Sequence, residues 1–381
     1  MLPRRPLADC DVLVVGGGIT GSATARQLAA AGADVVLVER FDLNTQGSGY
    51  NAGSLHAQLQ HDPFVRRGEA WARAYAPATR FLADAISLWR ELPEQLGTDL
   101  EVTIGGGILV AETEAQLRDI ERKVEIERAQ GLPSELLSRD DLRRVAPYVS
   151  TRMAGGGLCQ SEGKANPLIA APALARDAER RGARLLRHTE LTALVRAGAG
   201  FRAQTTAGEI QARRVVSCGG VDAGRVTAML GVELPVSGEA IQASVTEPVA
   251  PLVRHLLYFA GEKLTLKQAK VGSLLVGGGW PARVVSGRAT VSLPSLRENL
   301  WVAQSVVPAL GRARLLRTWA GFVNATPDWL PLVGAVGPGL YVGAFPYMGF
   351  TAAPLLGQVL GDLALGRDPG RDLSAFSVDR F

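Results

Sequence analysis

Val12-Leu13-Val14-Val15-Gly16-Gly17-Gly18-Ile19-Thr20-Gly21 decides how the chain begins to fold. Four consecutive apolar residues that run into a glycine cluster describe a strand buried on both faces and feeding a tight turn. Residues 19–31 are rich in Ala and Leu, and Gly32 closes them as a helix C-cap residue does. Residues 35–38 are all Val or Leu and form a second strand, ended by Glu39. The unit is βαβ. Its turn carries Gly16-x-Gly18-x-x-Gly21, in which the first glycine permits the turn, the second lets backbone approach a pyrophosphate, and the third lets helix and strand pack closely. The helix start at Ile19 and Thr20 offers unpaired N–H groups and a partial positive charge to phosphates. Glu39 can accept from ribose hydroxyls and repels a 2′-phosphate, so NADP is disfavoured. The unit predicts a bound dinucleotide. Spacing alone leaves FAD and NAD open, although the helix-rich stretch 64–150, arriving so early, favours FAD.

Outward from this unit, residues 44–53 are polar and Gly-rich and read as a loop or helix start. Residues 64–92 read as helix interrupted at Pro77, and 100–110 as a hairpin around Gly105-Gly106-Gly107. Thr113-Glu114-Ala115-Gln116 has the form of a capping box, Ser138-Arg139-Asp140-Asp141 opens a shorter helix, and Asn166-Pro167 is a third helix start. Short strands follow near 184–187, 190–196, 201–206 and 209–217. Residues 234–280 alternate as antiparallel sheet, and helices are expected over 295–310 and 350–365. A βαβ start, a mixed middle and a return to strand–loop–helix predict two interleaved domains. The fold class is α/β with an α+β part: a Rossmann-like nucleotide domain over 8–84, 145–225 and 325–381, and an antiparallel-sheet substrate domain over 85–144 and 226–324.

Composition narrows the function classes. A net charge of +4 spread over scattered arginines gives no nucleic-acid footprint. Cys10, Cys159 and Cys218 have no metal-ligand spacing, and no metal site is expected; their odd number argues against a disulfide framework and for a reducing compartment. No apolar run reaches the roughly 20 residues of a membrane span. Met1 to Pro6 lack the apolar stretch of a secretory signal, so a cytoplasmic location is expected, with peripheral docking on the membrane through partners as the alternative.

Three separated blocks carry a resemblance. Asp11 to Gly21 with Glu39-Arg40, Arg214-Val215-Val216-Ser217-Cys218-Gly219-Gly220, and the closing run Thr326 to Gly334, Gly339 to Gly343 and Gly349-Phe350-Thr351 resemble the flavoprotein family of D-amino acid oxidase, glycine oxidase and sarcosine oxidase. Cys218 stands where that family usually has Ala. Ser48-Gly49-Tyr50-Asn51-Ala52-Gly53-Ser54-Leu55-His56 is most similar to the β subunits of heteromeric opine oxidases, and also resembles hydroxyproline and proline dehydrogenases and hydrogen cyanide synthase.

The resemblance implies FAD and oxidation of a C–N bond to an imine that water hydrolyses, with hydride leaving the carbon beside nitrogen. It implies flavin contacts at Ser48, Asn51, Ala52, Gly53 and Leu55, adenine packing at Leu191, and a cradle closed by Cys218, Gly219 and Gly343. The helix that starts at Met348, Gly349, Phe350 and Thr351 is implied to aim its N–H groups at the ring edge where charge develops on reduction. No cysteine stands where some sarcosine oxidases attach flavin, so FAD is expected to be non-covalent. The oxygen-activating lysine of sarcosine oxidase has no matching place, which favours a dehydrogenase passing electrons to partner subunits; a self-sufficient oxidase and a non-catalytic flavin-binding subunit remain the alternatives. The substrate is an amino acid or amine. Tyr258, Lys267 and Gln268 are candidates to clamp it, or else solvent-facing strand positions. His56 either faces the ring or makes a structural hydrogen bond, and Tyr347 and Met348 either line the pocket or pack.

Overall fold

The computed structural model describes residues 7–381. Met1 to Pro6, read as lacking a secretory signal, lie outside the described residues. The first strand, Ala8–Val15, pairs in parallel with Gly208–Ser217 on one side and Val35–Val38 on the other. Arg184–Leu186 and Leu340–Ala344 extend this sheet in parallel, and Leu332–Gly337 ends it antiparallel. Val12 to Val14 and Val35 to Leu37 are fully buried, because helices cover one face and the strands Leu191–Ala197 and Gly200–Thr205, which pair onward from Gly208–Ser217, pack over the other. Ile19–Ala30 and the closing helix Gly349–Ala364 lie side by side because Gly357 leaves room: a methyl there would come within 2.6 Å of the Ala23 Cβ. Thus the helix at the start of the chain and the helix at its end present their N-termini to one side of the sheet.

A second eight-stranded sheet roofs that side. Its order is Leu315–Ala325, Ser237–Pro248, Ser273–Pro281, Thr265–Gln268, Leu256–Phe259, Gly107–Ala111, Gly155–Cys159, Ser134–Ser138. Only the pairing of Leu256–Phe259 with Gly107–Ala111 is parallel. Strand Gly155–Cys159, within the block 145–225, pairs in this roof rather than in the nucleotide sheet. The predicted capping box at Thr113, the helix start at Ser138 (itself a capping box) and the Asn166 cap are all present.

Two local readings are corrected. Residues 100–110 do not form a hairpin: Thr103 bridges to Lys164, and after Gly106 (φ 89°) the chain enters the roof as Gly107–Ala111. The long helix His61–Leu96 is broken at Gly68 (φ 79°, ψ −176°) and continues through Pro77. A glycine takes a left-handed φ at little cost, whereas proline's fixed φ suits a helix once its missing donor is tolerated. Beyond the break this helix underlies the closing one, and the Trp89 indole donates to the Thr351 carbonyl at 2.9 Å.

Candidate active site

The glycine turn is built so tightly that side chains are excluded. Gly16 has φ 109°, and a Cβ there would lie 2.5 Å from the Cys218 carbonyl oxygen; at Gly21 it would lie 1.9 Å from the carbonyl oxygen of Gly16. Gly18 is the N-cap of the first helix with no side chain capping it, and the Ile19 N–H donates to Ser48 Oγ at 2.8 Å. The Thr20 carbonyl accepts from the Thr24 hydroxyl at 2.8 Å. Glu39 accepts from the Gly17 and Phe41 N–H groups at 2.7 and 2.9 Å, which fixes its carboxylate at the rim of the turn. Arg40 is paired with Asp222 at 2.5 Å. Cys218 contributes its backbone: its thiol is buried against Thr24, and burial pushes its pKa to about 12. Gly219 caps the short turn after it, and Leu191 is buried with Val36 and Val38 in one apolar cluster. Gly343 faces the closing helix, where a methyl would meet Leu360 at 2.4 Å. It is therefore a packing glycine.

A cleft of about 550 Å³ lies between the loop 47–56, the start of the closing helix and the roof sheet. Asn51, Ala52, Ser54 and His56 line one wall, Met348, Phe350 and Thr351 another, and Leu109, Tyr258 and Thr265 come from the roof. The loop is pinned to the start of the closing helix. Thr351 Oγ1 accepts from the His56 N–H at 3.0 Å and donates to the Ser54 carbonyl at 3.3 Å. Asn51 Oδ1 accepts from Gly53 N–H at 2.5 Å, Gly53 (φ 80°) leaves no room for a Cβ against Ala165, and Leu55 is fully buried behind the loop. No side chain caps the helix at Met348, so its first N–H groups are available to a ligand at the cleft.

Beneath His56 lies a chain of buried polar side chains, of which sequence reading named Tyr258 and missed Glu162, Gln58, Lys123 and Glu127. His56 Nδ1 is 2.6 Å from the Tyr258 hydroxyl, which donates to Glu162 Oε2 at 2.8 Å. Gln58 Nε2 donates to the same oxygen at 2.9 Å, Lys123 donates to Gln58 Oε1 at 2.8 Å, and Lys123 pairs with Glu127 at 2.6 Å. Glu162, Lys123 and Glu127 are essentially inaccessible to solvent. Burial and the Lys267 cation hold His56 down at about 3, so it is a neutral imidazole. Burial and the adjoining Glu162 carboxylate keep the Tyr258 phenol protonated well above its ordinary range.

The clamp candidates separate. Lys267 is 2 % exposed and reaches the cleft only through Ser54 Oγ, at 2.7 Å from its ammonium. Gln268 is corrected to a structural role. Its Oε1 accepts from the Leu252 and Val253 N–H groups and its Nε2 donates to the Val249, Ala250 and Gly272 carbonyls, which leaves nothing for a substrate. Neither residue faces solvent. Met348 lines the cleft with its sulfur 4.0 Å from Gln60 Nε2. Tyr347 (φ 56°) lines it too, stacked at 4.2 Å on Trp329 (φ 69°). Two non-glycine residues in the left-handed region, side by side at a cleft, mark backbone held in place by its surroundings.

Burial, reinforced by Lys164, lowers Lys267 to about 7. Between that value and its ordinary 10.5 the unfolded chain keeps this proton and the folded chain has lost it, so stability rises with pH across that window and is flat for this group below it. Lys267→Met is expected to remove that rise. At pH 6 it should stabilise the protein by about 3 kcal/mol, the cost of the shift less the Ser54 hydrogen bond. Urea unfolding at pH 6 and pH 9.5 measures both.

The sequence matches the family described as FAD dependent oxidoreductase over residues 11–363. The chain belongs to this family. As an FAD-dependent oxidoreductase it is similar to glycine oxidase of Geobacillus kaustophilus, at 30% identity over 97% of both chains. It is similar to the beta subunit of sarcosine oxidase from Rhizobium meliloti at 26% identity, over 99% of this chain and 89% of that one. To an opine oxidase subunit of Rhizobium meliloti the identity is 25%, over 98% of each. A crystal structure of Geobacillus kaustophilus glycine oxidase superposes with a TM-score of 0.85 over 98% of this chain and 99% of that one, at 26% identity. The α/β reading with a Rossmann-like half and an antiparallel half holds, and so does the family resemblance. The enzyme is an FAD-dependent oxidoreductase acting on a C–N bond. FAD fits the residues present: a side-chain-free phosphate turn, an acid at its rim, and an uncapped helix start across the cleft from the polar loop 48–54.

Proposed function

We propose that this enzyme oxidises the C–N bond of an amino acid or secondary amine and acts as the catalytic subunit of a hetero-oligomeric dehydrogenase. When bound, FAD supplies the hydride acceptor for the carbon beside nitrogen; water hydrolyses the imine product. In this reading 8–84, 145–225 and 325–381 hold the cofactor, with 85–144 and 226–324 over the substrate. Gly16, Gly18, Gly21 and Ser48 receive the pyrophosphate, and Glu39 the ribose. Asn51, Ala52 and Gly53 run along the flavin, and the helix start at Met348 to Thr351 faces its electron-rich edge. Cys218, Gly219 and Leu191 wall the adenosine side.

The observation that carries the reading is the cleft in which a neutral His56, the side chains of Tyr258 and Tyr347, and an uncapped helix start converge. A neutral imidazole beside the reacting nitrogen suits an amine that must be uncharged to give up hydride. Non-covalent attachment is supported by Cys10, Cys159 and Cys218, all buried, all with raised pKa, and none lining the cleft. Partner subunits are supported by two relatives that are themselves named as subunits. Among the described residues no helix is long and apolar enough to cross a membrane.

Product analysis tests this. Holoenzyme with an amine panel and an artificial electron acceptor should form a carbonyl product in step with acceptor reduction, with little peroxide in air. Rapid peroxide formation without any acceptor would favour a self-sufficient oxidase. Intact flavin with no carbonyl product from any amine would leave a non-catalytic subunit.

A further inference from the structure

The Tyr258 hydroxyl has one proton and two polar neighbours, His56 Nδ1 at 2.6 Å and Glu162 Oε2 at 2.8 Å. Which of them receives the proton is settled by Glu162. Its Oε1 accepts from the backbone N–H groups of Ala57 at 2.6 Å and Gln58 at 2.8 Å. Its Oε2 faces the Gln58 amide nitrogen at 2.9 Å. That amide cannot turn over, because Lys123 donates to its oxygen at 2.8 Å and the Gly107 carbonyl accepts from its nitrogen at 3.1 Å. Three N–H donors already point at the carboxyl, and a proton on it would have only Tyr258 to point at. Burial raises the Glu162 carboxyl above its ordinary value even with these donors in place; the carboxylate is assigned on geometry, because both oxygens already face N–H donors that a protonated oxygen could not accept from equally well.

Tyr258 therefore donates to Glu162, and its oxygen accepts from His56 Nδ1–H. The imidazole carries one proton because it is neutral, so Nε2 is bare. Among the described residues the His56 ring makes its hydrogen bond through Nδ1, and the ring lines the cleft. We propose that Glu162 is a positioning residue that sets the tautomer of His56 through Tyr258, so that Nε2 accepts a hydrogen bond from the N–H of the substrate. The proposal rests on the C–N oxidation reading. As the C–H bonding pair departs, the nitrogen lone pair moves into C=N and the N–H becomes more acidic. A bond to Nε2 strengthens at that point, which lowers the barrier more than it tightens binding.

Nitrogen-15 NMR of histidine-labelled holoenzyme reads the tautomer directly. The chain has four histidines, so His56 is assigned by its loss in His56→Gln. The native protein should show a protonated Nδ1 and a bare Nε2. In Glu162→Gln the amide oxygen must serve the two backbone donors, so its NH₂ points at Tyr258; the phenol proton turns to Nδ1, and His56 becomes the Nε2–H form. With an amine that bleaches the native flavin, the limiting reduction rate should fall about ten- to hundredfold while the amine concentration giving half that rate changes little. A native Nε2–H, an unchanged tautomer in Glu162→Gln, or a reversed tautomer with reduction unchanged would each overturn the proposal. If Glu162→Gln fails to fold, Tyr258→Phe removes only the bridging oxygen; His56 should then lose its tautomer preference, and a fully retained Nδ1–H form contradicts the relay. If no amine bleaches the native flavin, the C–N reading fails and the substrate role with it, while the tautomer assignment stands on the NMR alone.

Discussion

Chains carrying Gly21→Val are expected to purify without flavin. The methyl carbon of even an alanine at this position would sit 1.9 Å from the Gly16 carbonyl oxygen, far inside van der Waals contact. Relief requires either the turn to open or the first helix to move off the first strand. Either movement carries the helix N-terminus away from the phosphates it has to meet. Gly16 cannot absorb the change, since its own φ of 109° and its 2.5 Å approach to the Cys218 carbonyl leave no slack. FAD affinity, followed by flavin fluorescence, should fall at least about a hundredfold, roughly 3 kcal/mol. Gly231→Ala is the control: nothing lies within 4 Å of a Cβ there, and its φ of 79° costs only local strain, about 1 kcal/mol. A Gly21→Val protein holding one flavin per chain would show that the turn does not bind the pyrophosphate.

The second large effect is on stability. Lys123→Met should cost about 3–5 kcal/mol, read as a lower urea midpoint at unchanged slope. Lys123 is 1 % exposed and Glu127 fully buried, with the ammonium 2.6 Å from the carboxylate. Removing the cation leaves a buried carboxylate whose remaining partner is the Leu59 N–H, and deprives the Gln58 oxygen of its donor. The double variant Lys123→Met/Glu127→Gln should recover part of the loss, because the charge no longer stands alone. A loss below about 1 kcal/mol in the single variant would mean that Glu127 is neutral or hydrated and that the relay is not a tightly satisfied network.

The nucleotide half was legible because its signals are local. Strand, glycine spacing, helix and Glu39 follow one another within thirty residues, and each has a steric or electrostatic reason that needs no distant partner. The capping box at Thr113 and the helix start at Ser138 were legible on the same grounds. The cleft was harder to read. Gln268 stands one residue from Lys267 on a short strand, and only the Leu252–Val253 turn that folds over it shows that its amide is consumed. Glu162 sits in a turn with no periodicity to betray its burial, and its donors come from a loop more than one hundred residues away. Lys123 and Glu127 look like an exposed i, i+4 pair. Ile120 and Val124 do share their helix face, so an apolar stripe interrupted by a charge pair was a signal that could have been read.

Anaerobic mixing of the yellow holoenzyme with amino acids and secondary amines, without any electron acceptor, tests the central claim most directly. At least one of them should bleach the oxidised flavin in a single turnover at a saturable rate, and Glu162→Gln should bleach it more slowly. A flavin that dithionite reduces but that no amine or amino acid bleaches would contradict C–N oxidation at this cleft.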